Sequence, residues 1–126
     1  MNDELKSRMA KDPNGLMTYE YIANNIDNIQ DDIDFLVDNI IKVDRNGQFS
    51  VSTARYLHAI DRQAFAASID RLIKASIEKD RERVYLADLA ATIWGPDYKQ
   101  NANTLAAQDD NFRRIYKRLY PSTTSL

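Results

Sequence analysis

Isoleucine and leucine recur every three or four residues through the first third of the chain, with polar residues between them. The steps alternate between four and three, which is the heptad spacing of a coiled-coil seam. We call these positions the hydrophobic row: Ile22, Ile26, Ile29, Ile33, Leu36 and Ile40. The pattern predicts one long helix from about Thr18, a good N-cap residue, to about Val43. The row would pack either inside the chain's own bundle or against the same helix of a second chain.

Few glycines and prolines interrupt the rest of the chain, and none occurs in residues 48–94. One helix of that length would extend for about 70 Å, so in a compact domain we expect breaks near Asp61 and near Asp80. The alternation of Phe49 and Val51 with serines predicts one short extended step before these helices. A helix ending at Gly95 should follow them, and then a segment with one helical turn and a loop.

The last predicted helix begins at about Asp109 or Asp110 and is stopped by Pro121. Together the patterns predict an all-α fold, a small helical bundle of about four to five helices with a long, heptad-patterned first helix. We expect residues 1–15 to form an N-terminal arm, residues 16–121 a single α-helical domain, and residues 122–126 a C-terminal tail. The length of 126 residues suits one core, and no repeat of domain scale is evident.

Composition argues against most kinds of catalytic site. The chain has no cysteine and one histidine, so a zinc site would need carboxylates for its other ligands. No glycine-rich phosphate loop, nucleophile motif or pair of catalytic carboxylates occurs, and His58 near Asp61 is the only arrangement that resembles one. We therefore predict no enzyme, no cofactor, no metal and no small-molecule substrate. The chain also lacks a long apolar run and an export signal, so we expect a cytoplasmic protein without a membrane span.

Charge is divided unevenly along the chain. Residues 12–41 contain seven acidic residues and no lysine or arginine, whereas residues 42–126 contain fourteen basic and ten acidic residues. Four of the acidic residues repeat the spacing of the hydrophobic row on its opposite side: Asp27, Asp31, Asp34 and Asp38. This predicted acidic face would meet solvent or a basic partner.

The C-terminal helix is basic and amphipathic. Its apolar side carries aromatic residues, and its other side carries four bases, Arg113, Arg114, Lys117 and Arg118. These bases suit the negative C-terminal end of the helix dipole. They would also bind an anionic partner: the phosphates of a nucleic acid, an anionic membrane surface, or the acidic face of another copy.

Two functional hypotheses follow from these patterns. The first is a non-enzymatic α-helical protein that mediates protein–protein interaction or assembly, as a homo-oligomer or as a subunit of a larger complex. The second is a nucleic-acid-binding protein that uses the basic C-terminal helix. Residues 53–74 resemble a degenerate helix-turn-helix that would assist it, although the turn lacks the usual glycine.

Overall fold

The computed structural model describes residues 1–122, and over that range the protein is a bundle of short α-helices. The helices are α1 (Asp3–Ala10), α2 (Leu16–Asn24), α3 (Ile33–Val43), α4 (Gln48–Asp61), α5 (Ala66–Lys79), α6 (Leu86–Trp94), α7 (Ala102–Gln108) and α8 (Asp110–Leu119). The predicted all-α class is confirmed, but the predicted count of four to five helices is wrong. Within the same residues, no helix is long and apolar enough to cross a membrane.

The long first helix predicted over residues 18–43 is also wrong. The chain leaves α2 at Asn24 and passes through two short 3-10 turns, Ile26–Asn28 and Gln30–Asp32, before α3 begins. Most residues in this break are asparagine or aspartate, whose side chains compete with the helix for backbone hydrogen bonds. Asn25 is an example, because its side-chain amide donates to the Tyr21 carbonyl oxygen at 2.9 Å at the end of α2.

The hydrophobic row nevertheless remains on one side of the chain through the break. A 3-10 turn has about three residues per turn, so side chains three apart still point the same way. Four members of the row are at most 1% exposed in the core of the single chain: Ile22, Ile29, Leu36 and Ile40. The other two, Ile26 and Ile33, are partly buried against that core. The row is therefore unavailable to a second chain unless the fold opens.

Several predicted boundaries agree with the structure. Helix α4 ends at Asp61, α5 ends immediately before Asp80, and α6 ends immediately before Gly95. The expected extended step at Phe49 and Val51 is wrong, because α4 begins directly after Gly47 and includes both residues. Of the predicted terminal segments, the N-terminal arm contains α1, and the C-terminal tail lies outside the described residues apart from Ser122.

The core lies between α3, α4, α5, α6 and α8, and α4 and α5 form its most closely packed pair. Helix α8 covers the bundle by packing on α5, α6 and α7. Its Phe112 is fully buried, with its ring centroid 5.2 Å from Trp94 and 5.5 Å from Tyr116. Asp109 caps this helix by accepting the backbone N–H groups of Asn111 and Phe112. The predicted start of the last helix is therefore confirmed.

Candidate functional site

Three helix–helix connections share one loop geometry, which we call the Asp loop. The loops start at Asp12 between α1 and α2, at Asp44 between α3 and α4, and at Asp80 between α5 and α6. In each loop the aspartate carboxylate accepts the backbone N–H of the sixth residue ahead, namely Thr18 at 2.8 Å, Ser50 at 2.8 Å and Leu86 at 2.9 Å. In each, the third residue after the aspartate has a positive φ: 105° at Gly15, 89° at Gly47 and 61° at Arg83. The same loop therefore begins the second helix of three successive helix pairs.

The Asp loops stabilise helix starts. Each carboxylate lies where the unpaired N–H groups and the positive end of the helix dipole favour an anion. Its two oxygens accept N–H donors from its own loop, as at Asp44, which accepts from Asn46, Gly47 and Ser50. Within residues 1–122 no group of three histidine, aspartate or glutamate side chains is arranged to hold a metal ion.

The loop at Asp12 makes stability depend on pH. Burial raises the pKa of the Asp12 carboxyl, but hydrogen bonds from the Thr18 hydroxyl and from the N–H groups of Thr18, Gly15 and Asn14 outweigh it and hold the pKa below 3.8. A carboxylate with a lowered pKa in the folded state stabilises the fold above its unfolded-state pKa, and this contribution is lost as the pH falls through its folded-state pKa.

We expect Asp12→Asn to lower the free energy of unfolding by about 1–3 kcal/mol at neutral pH, because a charged acceptor of buried donors is replaced by a neutral one. The difference from the wild type should stay constant above about pH 5 and shrink as the pH falls through the unfolded-state pKa of 3.8 toward the lower folded-state pKa. Urea unfolding at several pH values measures it. A difference that stays constant with pH would contradict the assigned pKa direction.

Arg83 occupies the loop position that glycine takes in the other two Asp loops. Its φ of 61° lies in the left-handed region, where a non-glycine residue is strained by about 1–2 kcal/mol. Glycine would remove this strain, but it would also make the unfolded chain more flexible, which cancels part of the gain in stability. We therefore expect Arg83→Gly to raise the free energy of unfolding by about 0.5–1 kcal/mol, measured by urea denaturation. Arg81→Gly in the same loop is the control and should destabilise, since the backbone φ of Arg81 is not positive. Equal effects of the two substitutions would contradict this account.

The second and third Asp loops touch each other at one end of the bundle. A Cβ on Gly47 would lie only 3.1 Å from the Asp80 Cβ. The Lys79 ammonium donates to the carbonyl oxygens of Ile41 and Asp44 at 2.5 and 2.6 Å, at the end of α3. The Arg118 guanidinium of α8 donates to the Asp80 carbonyl oxygen at 3.3 Å. The C-terminal ends of α3, α5 and α8 therefore meet at these loops.

Positive charge gathers where these three helix ends meet. We call the following residues the basic end: Arg45, Lys79, Arg81, Arg83, Lys117 and Arg118. None of them forms an ion pair with another residue of the described range. Two exposed acids, Glu78 and Glu82, accompany them, while Asp44 and Asp80 are buried in their loops. The exposed charge here is therefore strongly positive.

Negative charge is concentrated toward the start of α3. Asp27, Asp31 and Asp34 are exposed, and we call these three residues the acidic end. Asp34 precedes Ile41, whose carbonyl binds Lys79, by seven residues, which is about 10 Å of helix. The fourth residue of the predicted acidic face, Asp38, instead forms an ion pair with Arg71 of α5. The two charged regions therefore lie toward opposite ends of α3.

The predicted basic face of α8 is only partly available to a partner. Arg113 forms an ion pair with Asp110 one turn earlier, at 2.5 Å. Arg118 is held at the Asp80 carbonyl, and Arg114 is half-buried. Lys117 remains exposed. The loop residues Arg81 and Arg83 and the distant Arg45 extend this positive surface away from the helix.

The predicted helix-turn-helix at residues 53–74 corresponds to α4, a turn and the first part of α5. Half of the α5 residues are buried, because α5 packs against α3, α4, α6 and α8. The outer side of α5 presents Asp70, Lys74 and Glu78. Lys74 is paired with Asp70, and the role of residues 53–74 in binding DNA stays a prediction.

A cavity of about 460 Å³ opens at the basic end, beside the two touching loops. Its walls consist of charged and polar residues from both loops and the end of α5, together with two residues that precede α6: Arg45, Asn46, Lys79, Asp80, Arg81, Glu82, Val84 and Tyr85. Val84 is 58% exposed, more than the exposed hydrophobic residues Leu16, Met17 and Ile60. The cavity therefore combines cationic side chains with a small apolar wall.

Sequence reasoning missed this cavity for a physical reason. Arg45 and Arg81 are far apart in the chain, and only the contact between the two loops brings them to one cavity. The loops themselves had a signal, since Asp-x-Asn-Gly occurs at both Asp12 and Asp44. Comparison with known proteins adds no further information, because no family model, curated protein or solved structure matches the chain. Function is therefore inferred from the surface residues themselves.

Proposed function

We propose that the protein is a non-enzymatic assembly subunit, in which the basic end of one copy binds the acidic end of the next. The observation that carries this proposal is the separation of unpaired charge along α3: Asp34 lies in its first turn, Asp27 and Asp31 lie in the 3-10 turns just before it, and the basic end lies where it finishes. Because one chain has both a positive and a negative surface, the positive surface of one copy is complementary to the negative surface of another.

The charged ends suit this contact better than the hydrophobic row does. Burial of Ile22, Ile29, Leu36 and Ile40 inside one chain assigns the row to the core. The exposed charges need no rearrangement to meet a partner. A contact between two different surfaces of identical chains is heterologous, so it builds rings or open filaments.

Association of this kind is weak for each pair and depends on salt. An exposed ion pair contributes about 0.2–1 kcal/mol, so several pairs must form together. At 0.1 M salt, the interaction between exposed charges is largely screened beyond about 10 Å, and this distance shortens as salt is added. We therefore expect reversible assembly that grows with protein concentration and disappears at high ionic strength.

Charge reversal tests the proposal with two variants. One replaces Asp27, Asp31 and Asp34 with lysine, and the other replaces Arg81, Arg83 and Lys117 with glutamate. All six residues are exposed, and Arg118 is kept because it donates to the Asp80 carbonyl. Each variant alone should remain monomeric at low salt in sedimentation velocity, because its two ends now have the same sign. An equal mixture should associate, because every pair of ends between the two variants is again opposite in sign.

Restoration in the mixture distinguishes a specific contact from general loss of charge. The matched control replaces Arg8, Lys11 and Arg62, three exposed bases outside the basic end, with glutamate and should assemble like the wild type. Two reversed variants that still self-associate, or a mixture that stays monomeric, would contradict the proposal. Circular dichroism of each variant verifies that the helices are retained.

Nucleic-acid binding is the second candidate function, and the observation that favours it is the continuity of Lys117 and Arg118 with Arg81 and Arg83. Phosphate contacts would make the binding constant fall steeply with salt concentration. The variant with glutamate at Arg81, Arg83 and Lys117 should then lose binding to an oligonucleotide, while the variant reversed at the acidic end keeps it. Unchanged binding by the first variant would exclude this candidate.

A further inference from the structure

We propose that the cavity at the basic end binds a small organic phosphate, with Arg45, Lys79 and Arg81 contacting the phosphate group. This site goes beyond the assembly proposal and does not depend on it. The cavity volume of about 460 Å³ lies within the range of about 300–1,000 Å³ that is usual for small-molecule sites.

Lys79 is the best-positioned cation of the cavity. Its ammonium already donates to the carbonyl oxygens of Ile41 and Asp44, which fixes it in place. An ammonium has three donors, so one N–H remains for a ligand. Because the side chain is held before any ligand binds, little conformational entropy is lost on binding.

Arg45 and Arg81 supply the second feature of a phosphate site. Both line the cavity, and neither forms an ion pair with another described residue. A guanidinium presents paired donors that match two phosphate oxygens. The two arginines come from different Asp loops, so they approach the cavity from separate parts of the chain.

The acidic residues of the cavity leave this positive charge largely unopposed. The Asp80 carboxylate accepts the N–H groups of Val84, Tyr85 and Leu86, so its charge is turned toward its own loop. Glu82 is the one exposed carboxylate on the cavity wall. Three cations thus face two carboxylates, of which only Glu82 is exposed, and this balance favours a ligand with a negative charge.

The apolar wall indicates that the ligand has an organic part as well as a phosphate. Val84 is 58% exposed although it is a large hydrophobic residue, and Tyr85 beside it is half-buried. A bound molecule that covered both would remove apolar surface from water. This wall distinguishes an organic phosphate from the inorganic ion.

Titration calorimetry of the full chain with four probes tests the site: adenosine monophosphate, ribose 5-phosphate, inorganic phosphate and adenosine. We expect both phosphate esters to bind with a Kd of about 1 mM or tighter, and adenosine not to bind. Inorganic phosphate should bind at least about threefold more weakly than adenosine monophosphate, because it cannot cover the apolar wall. If neither ester binds, the proposed site is wrong. If inorganic phosphate binds as tightly as adenosine monophosphate, the proposal that the apolar wall contacts the ligand is wrong.

Substitutions locate the binding. Arg45→Ser with Arg81→Ser should weaken binding of adenosine monophosphate by at least about tenfold, since two charged contacts are removed. The control, Arg8→Ser with Lys11→Ser, removes the same charge from exposed residues elsewhere and should bind like the wild type. Equal binding by the two variants would overturn the site. The variant with lysine at Asp27, Asp31 and Asp34 keeps the cavity, so its binding tests the site independently of assembly.

Discussion

Replacing Asp80 with alanine is expected to lower the free energy of unfolding by about 3 kcal/mol. The Asp80 carboxylate accepts the N–H groups of Val84, Tyr85 and Leu86 at 2.9, 2.7 and 2.9 Å. A hydrogen bond to a charged group contributes about 1.5–3 kcal/mol, and a buried donor left without a partner adds to the loss. Urea unfolding followed by the fluorescence of Trp94, the only tryptophan, measures the change.

Asp61 provides a matched control for this substitution. It is the last residue of α4 and accepts two N–H groups of the turn that follows, those of Gln63 and Ala64, but all three residues are exposed. We expect Asp61→Ala to cost no more than about 1 kcal/mol, because water replaces the lost acceptor. If the two substitutions lowered the free energy of unfolding by similar amounts, burial would not explain how much the Asp loop contributes to stability.

Replacing Phe112 with alanine is expected to cost about 3–5 kcal/mol, the usual range for a buried phenylalanine. The side chain is fully buried, and its ring is 5.2 Å from Trp94 and 6.1 Å from Tyr98, each in an edge arrangement. Removing the ring would leave a cavity between α6 and α8, and such cavities relax only partly. Thermal or urea unfolding measures the loss, and near-ultraviolet circular dichroism should report the altered surroundings of Trp94.

Two further substitutions control for this effect. Phe112→Leu retains much of the apolar volume and should cost less than Phe112→Ala. Val84→Ala removes an exposed hydrophobic side chain and should change stability by less than about 0.5 kcal/mol. A cost below about 1 kcal/mol for Phe112→Ala would contradict the packing of α8 on the core.

The elements that the sequence predicted correctly have local signals. Asp109 supplies an N-cap for α8, Pro121 stops it, and Gly95 ends α6. The breaks at Asp61 and Asp80 follow from the size of a compact domain, since an unbroken helix there would be too long. Each of these signals acts within a few residues or through chain length alone.

The error over residues 18–43 arose because hydrophobic spacing does not distinguish an α-helix from 3-10 turns. Ile26 and Ile29 are three residues apart, a step that both structures place on one side of the chain. The poor helix propensity of the intervening asparagines and aspartates was the contrary signal. Because its helix propensity is low, this segment depends on packing against the core, and it packs there as two 3-10 turns and not as a continuous helix.

The candidate site was predictable only in part. The bases of α8 follow from the sequence, but the contact of Arg118 with the Asp80 carbonyl depends on how α8 packs on α5. The third Asp loop was hidden because it has Arg83 where the other two have glycine. The cavity depends on contact between loops far apart in the chain, for which local pattern carries no information.

The mass of the unmodified protein in solution at two salt concentrations tests head-to-tail assembly most directly. Light scattering after size-exclusion chromatography would compare about 20 mM with about 500 mM salt, over a range of protein concentrations. Assembly through the charged ends predicts a mass well above 14.5 kDa at low salt that returns to the monomer value at high salt. A monomer under both conditions, or an oligomer that persists at high salt, would contradict it.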